Sequence, residues 1–304
     1  MLFRSDLSDR SNQPLLDNSQ RYVIVFNGEI YNYRELQSQL KEYSFRTQSD
    51  TEVVLAAFMQ WGGKCLEYLK GMFAFAIWDQ QRQSLFLARD RMGVKPLYYY
   101  QKGTTFLFAS EIRALLASGM IPRKINRGTL PEYFYFQSFQ FPHTLVEGIQ
   151  ELSAGCSMEV TDQHARVQSY WQLPTTISME DAEDDQFIQK KVKELFFASV
   201  QRRMVADVPV AAFLSGGIDS AALVAAMAQL GHRPETFTIS FEEKEYDESS
   251  HAALVAQKYN TRHHKLLIRS SDLWEQLPDA LDAMDSPSGD GINTYIRSEE
   301  HTSE

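Results

Sequence analysis

The first half of the chain alternates short apolar runs with polar and glycine-containing turns, which predicts a β-rich region with interspersed helices. A β-branched and aromatic run at 21–26 ends at Asn27-Gly28, a dipeptide typical of tight turns. Ser49 offers a cap for a helix that continues through Gln60. Four further runs at roughly ten-residue spacing predict an antiparallel meander; they lie at 73–78, 84–88, 96–100 and 105–109.

The second half alternates amphipathic and fully apolar segments, which predicts helices and buried strands in turn. Apolar residues recur at helical spacing within 187–204, and the run at 208–214 is almost continuous, as in a buried parallel strand. This order of elements predicts a parallel α/β sheet. The other predicted elements are helices at 218–230, 248–259 and 271–284 and strands at 236–241 and 265–268.

Length and composition fit an ordinary globular protein. The chain has 304 residues, of which 43% are hydrophobic and 23% charged, so two domains are expected. The net charge of −10 argues against general nucleic-acid binding, because phosphate backbones are bound by basic surfaces. No uncharged apolar run approaches the roughly 20 residues of a membrane span. Two cysteines, Cys65 and Cys156, are too few for a disulfide framework and favour a cytoplasmic location.

Both ends of the chain resemble the translation of a sequencing-library adapter rather than natural sequence. On this interpretation residues 1–5 and 297–304 are adapter-derived tails, and they are left out of the fold prediction. The alternative is a pair of natural polar tails. The adapter interpretation predicts that the chain is an open fragment of a longer gene.

The most specific motif follows the apolar run at 208–214 and reads Ser215-Gly216-Gly217-Ile218-Asp219-Ser220. Glycines here let backbone N–H groups approach an anion closely, and the following helix presents its positive end to that anion. The hydroxyls of Ser215 and Ser220 add donors. Asp219 would repel a phosphate unless a cation lay between them, which indicates Mg²⁺. No lysine follows the glycines, so the motif is not a Walker-type loop.

This hexapeptide resembles the SGGxDS pyrophosphate loop of the ATP-pyrophosphatase superfamily, whose members cleave ATP to AMP and pyrophosphate. The flanking segments at 202–210 and 237–241 resemble those of glutamine-dependent asparagine synthetases. The resemblance implies ATP and Mg²⁺ as cofactors, with Asp219 at the metal and Ile239 at the adenine ring. The residues that it implies for ATP binding are Leu214, Ser215, Gly216, Gly217, Asp219, Ser220 and Ile239.

A second group of motifs lies in the first half of the chain. The segment at 26–32 reads FNGEIYN and resembles the corresponding segment of class II glutamine amidotransferases. Further segments resemble that family in the same order, and together with the second half the resemblance covers nearly all of 6–296. Several independent segments in the right order are stronger than any one of them. The further segments lie at 49–52, 71–76, 88–91, 93–98 and 109–111.

The resemblance implies a role for each polar group in this region. Hydrolysis of a glutamine amide passes through a tetrahedral oxyanion, which the side-chain amide of Asn27 and the backbone N–H of Gly28 would stabilise. The carboxylates of Glu29 and Asp50 would hold the α-ammonium group of glutamine through charge-assisted hydrogen bonds. The expected glutamine-binding residues are therefore Asn27, Gly28, Glu29 and Asp50.

The chain departs from this family at its nucleophile. The family uses a cysteine at the mature N-terminus, with its own α-amine as base, and nothing here begins Met-Cys-Gly. The family's arginine clamp for the glutamine carboxylate also has no counterpart. Cys65 and Cys156 match no family position and are expected to be packing residues. We therefore expect the chain as written not to hydrolyse glutamine.

Two incomplete domains follow from the resemblance. Residues 6–172 are expected to form a type 2 glutamine amidotransferase domain, an α+β αββα sandwich of the Ntn-hydrolase type that lacks its N-terminal strand and nucleophile. A linker at 173–186 leads to an α/β parallel-sheet PP-loop ATP pyrophosphatase domain at 187–296, truncated at its C-terminal side. An exposed edge of that parallel sheet predicts poor solubility.

The implied function is that of a glutamine-hydrolysing asparagine synthetase with the small-molecule substrates glutamine, aspartate and ATP. The sequence leaves a homodimer open. One alternative is a related ligase that amidates a sugar acid or another carboxylate, since the stretch at 285–295 is closer to proteins of surface-polysaccharide gene clusters. A second alternative is a non-catalytic sensor of glutamine or nucleotide. A tRNA-thiolating relative ranks last, because residues 172–304 contain no cysteine.

Overall fold

The computed structural model describes residues 9–175, 185–205, 209–242, 247–288 and 291–299. The chain divides into two compact units. The first unit comprises Met1–Thr175 with Asp285–Ser288, and the second comprises Thr176–Met284 with Gly289–Glu304. The domain limits expected from the sequence, 6–172 and 187–296, stay predictions.

The described part of the first unit contains two antiparallel sheets. Six strands form one sheet in the order β1-β2-β3-β4-β8-β9, and three form the other in the order β6-β5-β7. The strands are β1 (Leu15–Leu16), β2 (Tyr22–Ile30), β3 (Gly71–Asp79), β4 (Ser84–Arg89), β5 (Tyr98–Lys102), β6 (Thr105–Ala109), β7 (Ile149–Glu151), β8 (Cys156–Val160) and β9 (Ala165–Ser169).

Helices cover one face of the six-stranded sheet. Alternate residues of β2, such as Ile24 and Phe26, point into a core that they share with Leu36 and Leu55 from the helices. Ser49 caps α2 as the sequence predicts, its hydroxyl accepting from the backbone N–H of Glu52. The helices of this unit are α1 (Tyr33–Gln39), α2 (Asp50–Trp61), α3 (Cys65–Tyr68), α4 (Ile112–Ala117) and α5 (Leu130–Phe136).

The opposite face of the six-stranded sheet packs against the three-stranded sheet. Ala76 and Leu87 from the first sheet share a core with Leu97 and with Phe106 of β6. The outer side of the small sheet is covered by α4, where Leu115 packs among residues of β5, β6 and β7. The layers are thus helix, sheet, sheet and helix, which confirms the αββα sandwich predicted for this half.

Two local predictions in this half were wrong. The dipeptide Asn27-Gly28 is not a turn, because β2 continues to Ile30 and pairs with β3 over nine consecutive residues. The four strands of the predicted meander are divided between the two sheets, with 73–78 and 84–88 in one and 96–100 and 105–109 in the other. Turn propensity and strand spacing are local signals, and long-range pairing overrides them.

The second unit contains a parallel sheet in the order β10-β11-β12, as predicted. Its core lies between β10 and the helices, around Leu214, Val224 and Ala252. Part of the predicted strand at 208–214 lies outside the described residues. The elements are α6 (Asp185–Arg203), β10 (Ala211–Phe213), α7 (Ile218–Gln229), β11 (Glu235–Phe241), α8 (Ser249–Lys258), β12 (Arg262–Ile268), α9 (Ser270–Ala283) and α10 (Gly291–Glu299).

Three features of this unit bear on the sequence predictions. Helix α10 has no counterpart among the predicted elements and extends into the first residues of the predicted tail at 297–304. Most of the acidic linker at 173–186 lies outside the described residues. No helix within the described parts of the chain is both long and apolar enough to span a membrane.

Candidate functional site

The register of β2 decides where the backbone groups of Gly28 point. Tyr31 donates to the carbonyl of Lys70 at 2.8 Å, so the odd-numbered residues of β2 form the hydrogen-bonded pairs with β3. Gly28 lies opposite Phe73, whose own backbone N–H and carbonyl are bonded to Asp90 at 3.1 and 2.8 Å. Gly28 and Phe73 are therefore a non-hydrogen-bonded pair, and the Gly28 N–H points to the outer edge of β2.

Two side chains cap the neighbouring N–H groups on this edge. The N–H of Phe26 donates to the side-chain Oε1 of Gln13 at 2.6 Å. The N–H of Ile30 donates to a carboxylate oxygen of Asp50 at 2.9 Å. The paired part of β1 reaches only Val23 and Ile24, so it does not extend alongside Gly28. The Gly28 N–H thus lies between two capped amides, on the part of the edge that β1 leaves open.

Glycine is the residue type that fits at position 28. A Cβ atom on it would lie 2.7 Å from the Cα of Phe73 and would collide with the carbonyl oxygen of Met72. Both neighbours are backbone atoms of β3 and cannot move without breaking the sheet. The glycine therefore serves the close approach of two strands.

Asn27 supplies the second predicted donor. Its side chain is exposed, and its Nδ2 donates to the hydroxyl of Ser110 at 3.0 Å. A side-chain amide carries two hydrogens, and this bond uses one of them. The two donors predicted for an oxyanion therefore come from consecutive residues of one strand, with the Asn27 amide oriented by Ser110.

The two predicted carboxylates reach the strand that carries these donors in different ways. Asp50 is the first residue of α2, is 3% exposed, and bonds to the end of β2 through the N–H of Ile30. Glu29 is half-buried and precedes Ile30 directly. The structure therefore brings Asp50 to the strand that carries Asn27, Gly28 and Glu29, across a gap of about twenty residues in sequence.

The role of Asp90 was not predicted from the sequence. It is 1% exposed, and one of its carboxylate oxygens accepts from the N–H of Phe73 at 3.1 Å and of Lys95 at 2.9 Å. The other oxygen accepts from the N–H groups of Met92 and Val94. Asp90 thus fixes both the following turn and the strand residue opposite Gly28. The only signal for this role in the sequence is its place in the 88–91 motif.

The neighbouring Arg89 fixes the same turn from its other side. Its guanidinium donates to the backbone carbonyls of Lys95, Leu152 and Gly93 at 2.7–2.8 Å and forms a 2.7 Å ion pair with Glu151. Arg89 is buried, so these partners replace the water that its charge would otherwise need. The motif at 88–91 therefore has a structural function in this domain.

In the second unit, the predicted nucleotide loop joins β10 to α7. Leu214 is buried, and β11 engages both of its backbone groups, through the carbonyl of Phe237 at 2.8 Å and the hydroxyl of Thr238. This residue therefore fixes where the loop begins. Ile239 lies further along β11 and is half-buried.

Gly216 has the conformation that the loop requires of a glycine. Its φ of +79° lies in the left-handed region, and a Cβ atom would lie 3.0 Å from both the carbonyl oxygen of Glu248 and the Cβ of His251. The first turn of α8 thus packs directly on the loop. Gly217 is the N-cap of α7 and has an ordinary negative φ.

The hydroxyl oxygens of the loop accept from its own backbone N–H groups. Ser220 Oγ accepts from the N–H of Ser215 at 3.2 Å, and Ser215 Oγ accepts from the N–H of Gly217 at 3.4 Å. The two hydroxyls are 3.2 Å apart. These bonds close the loop on itself at the N-terminus of α7. Asp219, in the first turn of α7, is exposed.

Neither cysteine has the properties of a nucleophile. Cys65 is fully buried, and burial raises the pKa of its thiol to about 12. Burial also raises the pKa of Cys156. A thiolate is the reactive form, so both thiols are unreactive at neutral pH. This agrees with their expected role as packing residues.

The adjacent histidines of β12 face different surroundings, as expected for neighbours on a strand. Nδ1 of His263 lies 3.0 Å from the hydroxyl of Thr236, and burial lowers the pKa of this imidazole. The ring of His264 stacks on Phe237 at 4.7 Å between centroids. Among the described residues, no three His, Cys, Asp or Glu side chains are grouped so that they could hold a metal ion.

Comparison with known families identifies the first domain. The family described as "Glutamine amidotransferase domain" matches residues 2–171, more than half of the chain. The chain belongs to this family. The matched amidotransferase region contains the whole outer edge of β2, with Asn27, Gly28 and Asp50. A second family, described as "Asparagine synthase", matches residues 191–300. This matched region contains the loop at 215–220. The predicted combination of the two families is confirmed.

Curated relatives align with most of the chain. The chain is 36% identical over 284 residues to asparagine synthetase (glutamine-hydrolyzing) 3 of Bacillus subtilis, covering 88% of the chain and 46% of the relative. It is 34% identical over 317 aligned positions to putative asparagine synthetase (glutamine-hydrolyzing) 2 of Methanocaldococcus jannaschii, covering 97% of the chain and 60% of the relative. The chain thus spans about half the length of the curated relatives that it matches.

Proposed function

We propose that the protein is an ATP-dependent, glutamine-hydrolysing asparagine synthetase. In this reaction glutamine provides ammonia, and ATP activates the side-chain carboxylate of aspartate as an acyl adenylate that ammonia then attacks. The observation that carries the proposal is that one chain matches both families, with the outer edge of β2 inside the glutamine amidotransferase match and the loop at 215–220 inside the asparagine synthase match.

The strand edge suits the amide half of this reaction. The carbonyl oxygen of a glutamine side chain becomes negatively charged during hydrolysis, so donors that are already in place lower the barrier. The Gly28 N–H and the second hydrogen of the Asn27 amide would be such donors. Asp50 and Glu29 would bind the α-ammonium group. The nucleophile of this step would be a cysteine other than Cys65 and Cys156, because both thiols are buried.

The loop suits the ATP half. A carboxylate is a poor electrophile, and transfer of AMP converts one of its oxygens into a leaving group. Ser215, Gly216, Gly217 and Ser220 would bind the pyrophosphate oxygens. Mg²⁺ commonly binds one or two carboxylates together with substrate phosphates, so a single exposed Asp219 beside the loop fits this ion. Bound there, Mg²⁺ would offset the charge of the phosphates, and Ile239 would contact the adenine ring.

The experiment is ATP–pyrophosphate exchange, measured on this chain and on the product of any longer reading frame that contains it. The proposal predicts exchange that depends on aspartate and Mg²⁺ and that falls at least tenfold in Asp219→Ala. Exchange with uronic acids but not with aspartate would favour a ligase for sugar acids, to which the sequence at 285–295 points. No exchange with any carboxylate, together with retained glutamine binding, would favour a non-catalytic sensor.

We also propose a cytoplasmic location, because both cysteines are free and reducing compartments keep thiols unpaired.

A further inference from the structure

Ser110 contacts the amide-binding edge from a different sheet. It follows the last residue of β6, whereas Asn27 lies in β2, and the hydrogen bond from Asn27 Nδ2 to Ser110 Oγ joins residues 83 positions apart. Val25, two residues before Asn27, already lies on the sheet face that packs against β6. The bond therefore forms where the two packed sheets approach each other at one end.

The side chain of Asn27 has little other support. It is exposed, so packing does not restrict its χ1 angle. Ser110 in contrast is half-buried and is held on both sides, by pairing of Ala109 with Tyr98 in β5 and by α4, which begins two residues later. A fixed hydroxyl that accepts one amide hydrogen will select one rotamer of an otherwise free side chain.

We propose that Ser110 is a positioning residue for the glutamine amide: it holds Asn27 in the rotamer that presents the second Nδ2 hydrogen beside the Gly28 N–H. The proposal rests on the function proposed above. The register of β2 fixes the direction of the Gly28 N–H. The direction of the Asn27 donor depends on the side-chain rotamer of Asn27. By holding that rotamer, Ser110 gives both donors, the Gly28 N–H and the Asn27 side-chain amide, a fixed direction.

The first test measures the rotamer and needs no ligand. Three-bond couplings to Cγ report the χ1 angle of Asn27 in the isotope-labelled 304-residue chain. We expect values of a single rotamer in the native chain, averaged values in Ser110→Ala, and recovery in Ser110→Thr, which keeps the hydroxyl. Ser118→Ala is the matched control, because the hydroxyl of Ser118 makes local bonds at the end of α4: it donates to the carbonyl of Leu115 and accepts from the N–H of Met120. Unchanged couplings in Ser110→Ala would overturn the proposal.

The second test measures L-glutamine binding from the shifts of the Gly28 and Asn27 amide signals. Loss of one positioned donor should raise the dissociation constant by about three- to tenfold in Ser110→Ala. Ser110→Thr and Ser118→Ala should bind as the native chain does. Equal affinity in Ser110→Ala would overturn the positioning role. Absence of glutamine binding by the native chain would instead contradict the proposed function, while the couplings still decide whether Ser110 orients Asn27.

Discussion

The outer edge of β2 around Asn27 and Gly28, proposed to bind an amide, and the loop at 215–220, proposed to bind a nucleotide, are built in different ways. Three contacts that shape the edge join distant parts of the chain: Asn27 to Ser110, Ile30 to Asp50, and Phe73 to Asp90. The hydroxyl bonds of the loop all lie within the six residues 215–220. One site depends on tertiary packing, whereas the other is mostly a property of its own sequence.

This difference predicts different responses to mutation. A change far from Gly28 in sequence should disturb the edge if it affects the register of β2 or β3. The loop should respond mainly to changes within itself or in the turn of α8 that packs on it. The predictions below test this contrast, beginning with the largest expected effect.

Asp90→Ala should destabilise the first unit by about 3–5 kcal/mol, because it removes the acceptor of four backbone N–H groups in a buried position. Denaturant unfolding measures the loss, and hydrogen exchange should rise at Phe73. Amides at 215–220 should exchange as in the native chain. The control is Asp162→Ala, an exposed site where we expect a change below about 0.5 kcal/mol. Equal losses at both positions would contradict the account of the edge.

Gly28→Ala should cost about 1–3 kcal/mol, because the added Cβ meets backbone atoms of β3 that cannot yield without breaking the sheet. Chemical denaturation is again the measurement. Gly63→Ala is a suitable control, since its Cβ would reach only ring atoms of Phe86 at 3.4 Å. If Gly28→Ala were as stable as the native chain, the backbones of β2 and β3 would have to lie further apart at this position than the 2.7 Å contact with the Cα of Phe73 implies.

Gly216→Ala should cost about 1–2 kcal/mol, since alanine disfavours a φ of +79° and its Cβ would press on the first turn of α8. Gly217→Ala, one residue later, has a negative φ and only the hydroxyl of Ser215 within reach, at 3.4 Å. Gly217 is the N-cap of α7, where glycine is preferred to alanine, so Gly217→Ala should lose a smaller amount, about 0.5 kcal/mol. Thermal unfolding of the two variants compares them directly, and similar losses would contradict the loop geometry.

Asp79 should make a smaller contribution to stability, one that is lost in acid. The guanidinium of Arg21 donates to it at 2.6 and 3.0 Å and lowers the pKa of this carboxyl to about 2 from its ordinary 3.8. The depressed pKa stabilises the fold above pH 4, and this contribution is lost as the pH falls from about 4 to about 2. Unfolding measured across this range should depend less on pH in Asp79→Asn. An unchanged pH dependence would mean that Asp79 titrates normally.

The same contrast explains what could be predicted from the sequence. The position of the loop between a strand and a helix, the Ser49 cap and the parallel order of the second sheet depend on local residue types, and they were predicted correctly. The role of Ser110 could not be predicted, because it depends on how two sheets pack. Asn27-Gly28 has the local preference of a turn, and only pairing with β3 makes it a strand. Asp90 gave no signal beyond its motif, because its four partners are backbone groups that any residues could supply.

Nitrogen–proton correlation spectra of the labelled chain, recorded with L-glutamine and with ATP and Mg²⁺ in turn, test the central claim most directly. The account predicts that glutamine shifts the amides of Gly28 and its neighbours, and that ATP shifts those of 215–220 in a manner that Asp219→Ala weakens. If neither ligand shifts its predicted segment, or if Asp219→Ala leaves the ATP shifts unchanged, the chain does not combine an amide-binding edge with a nucleotide loop.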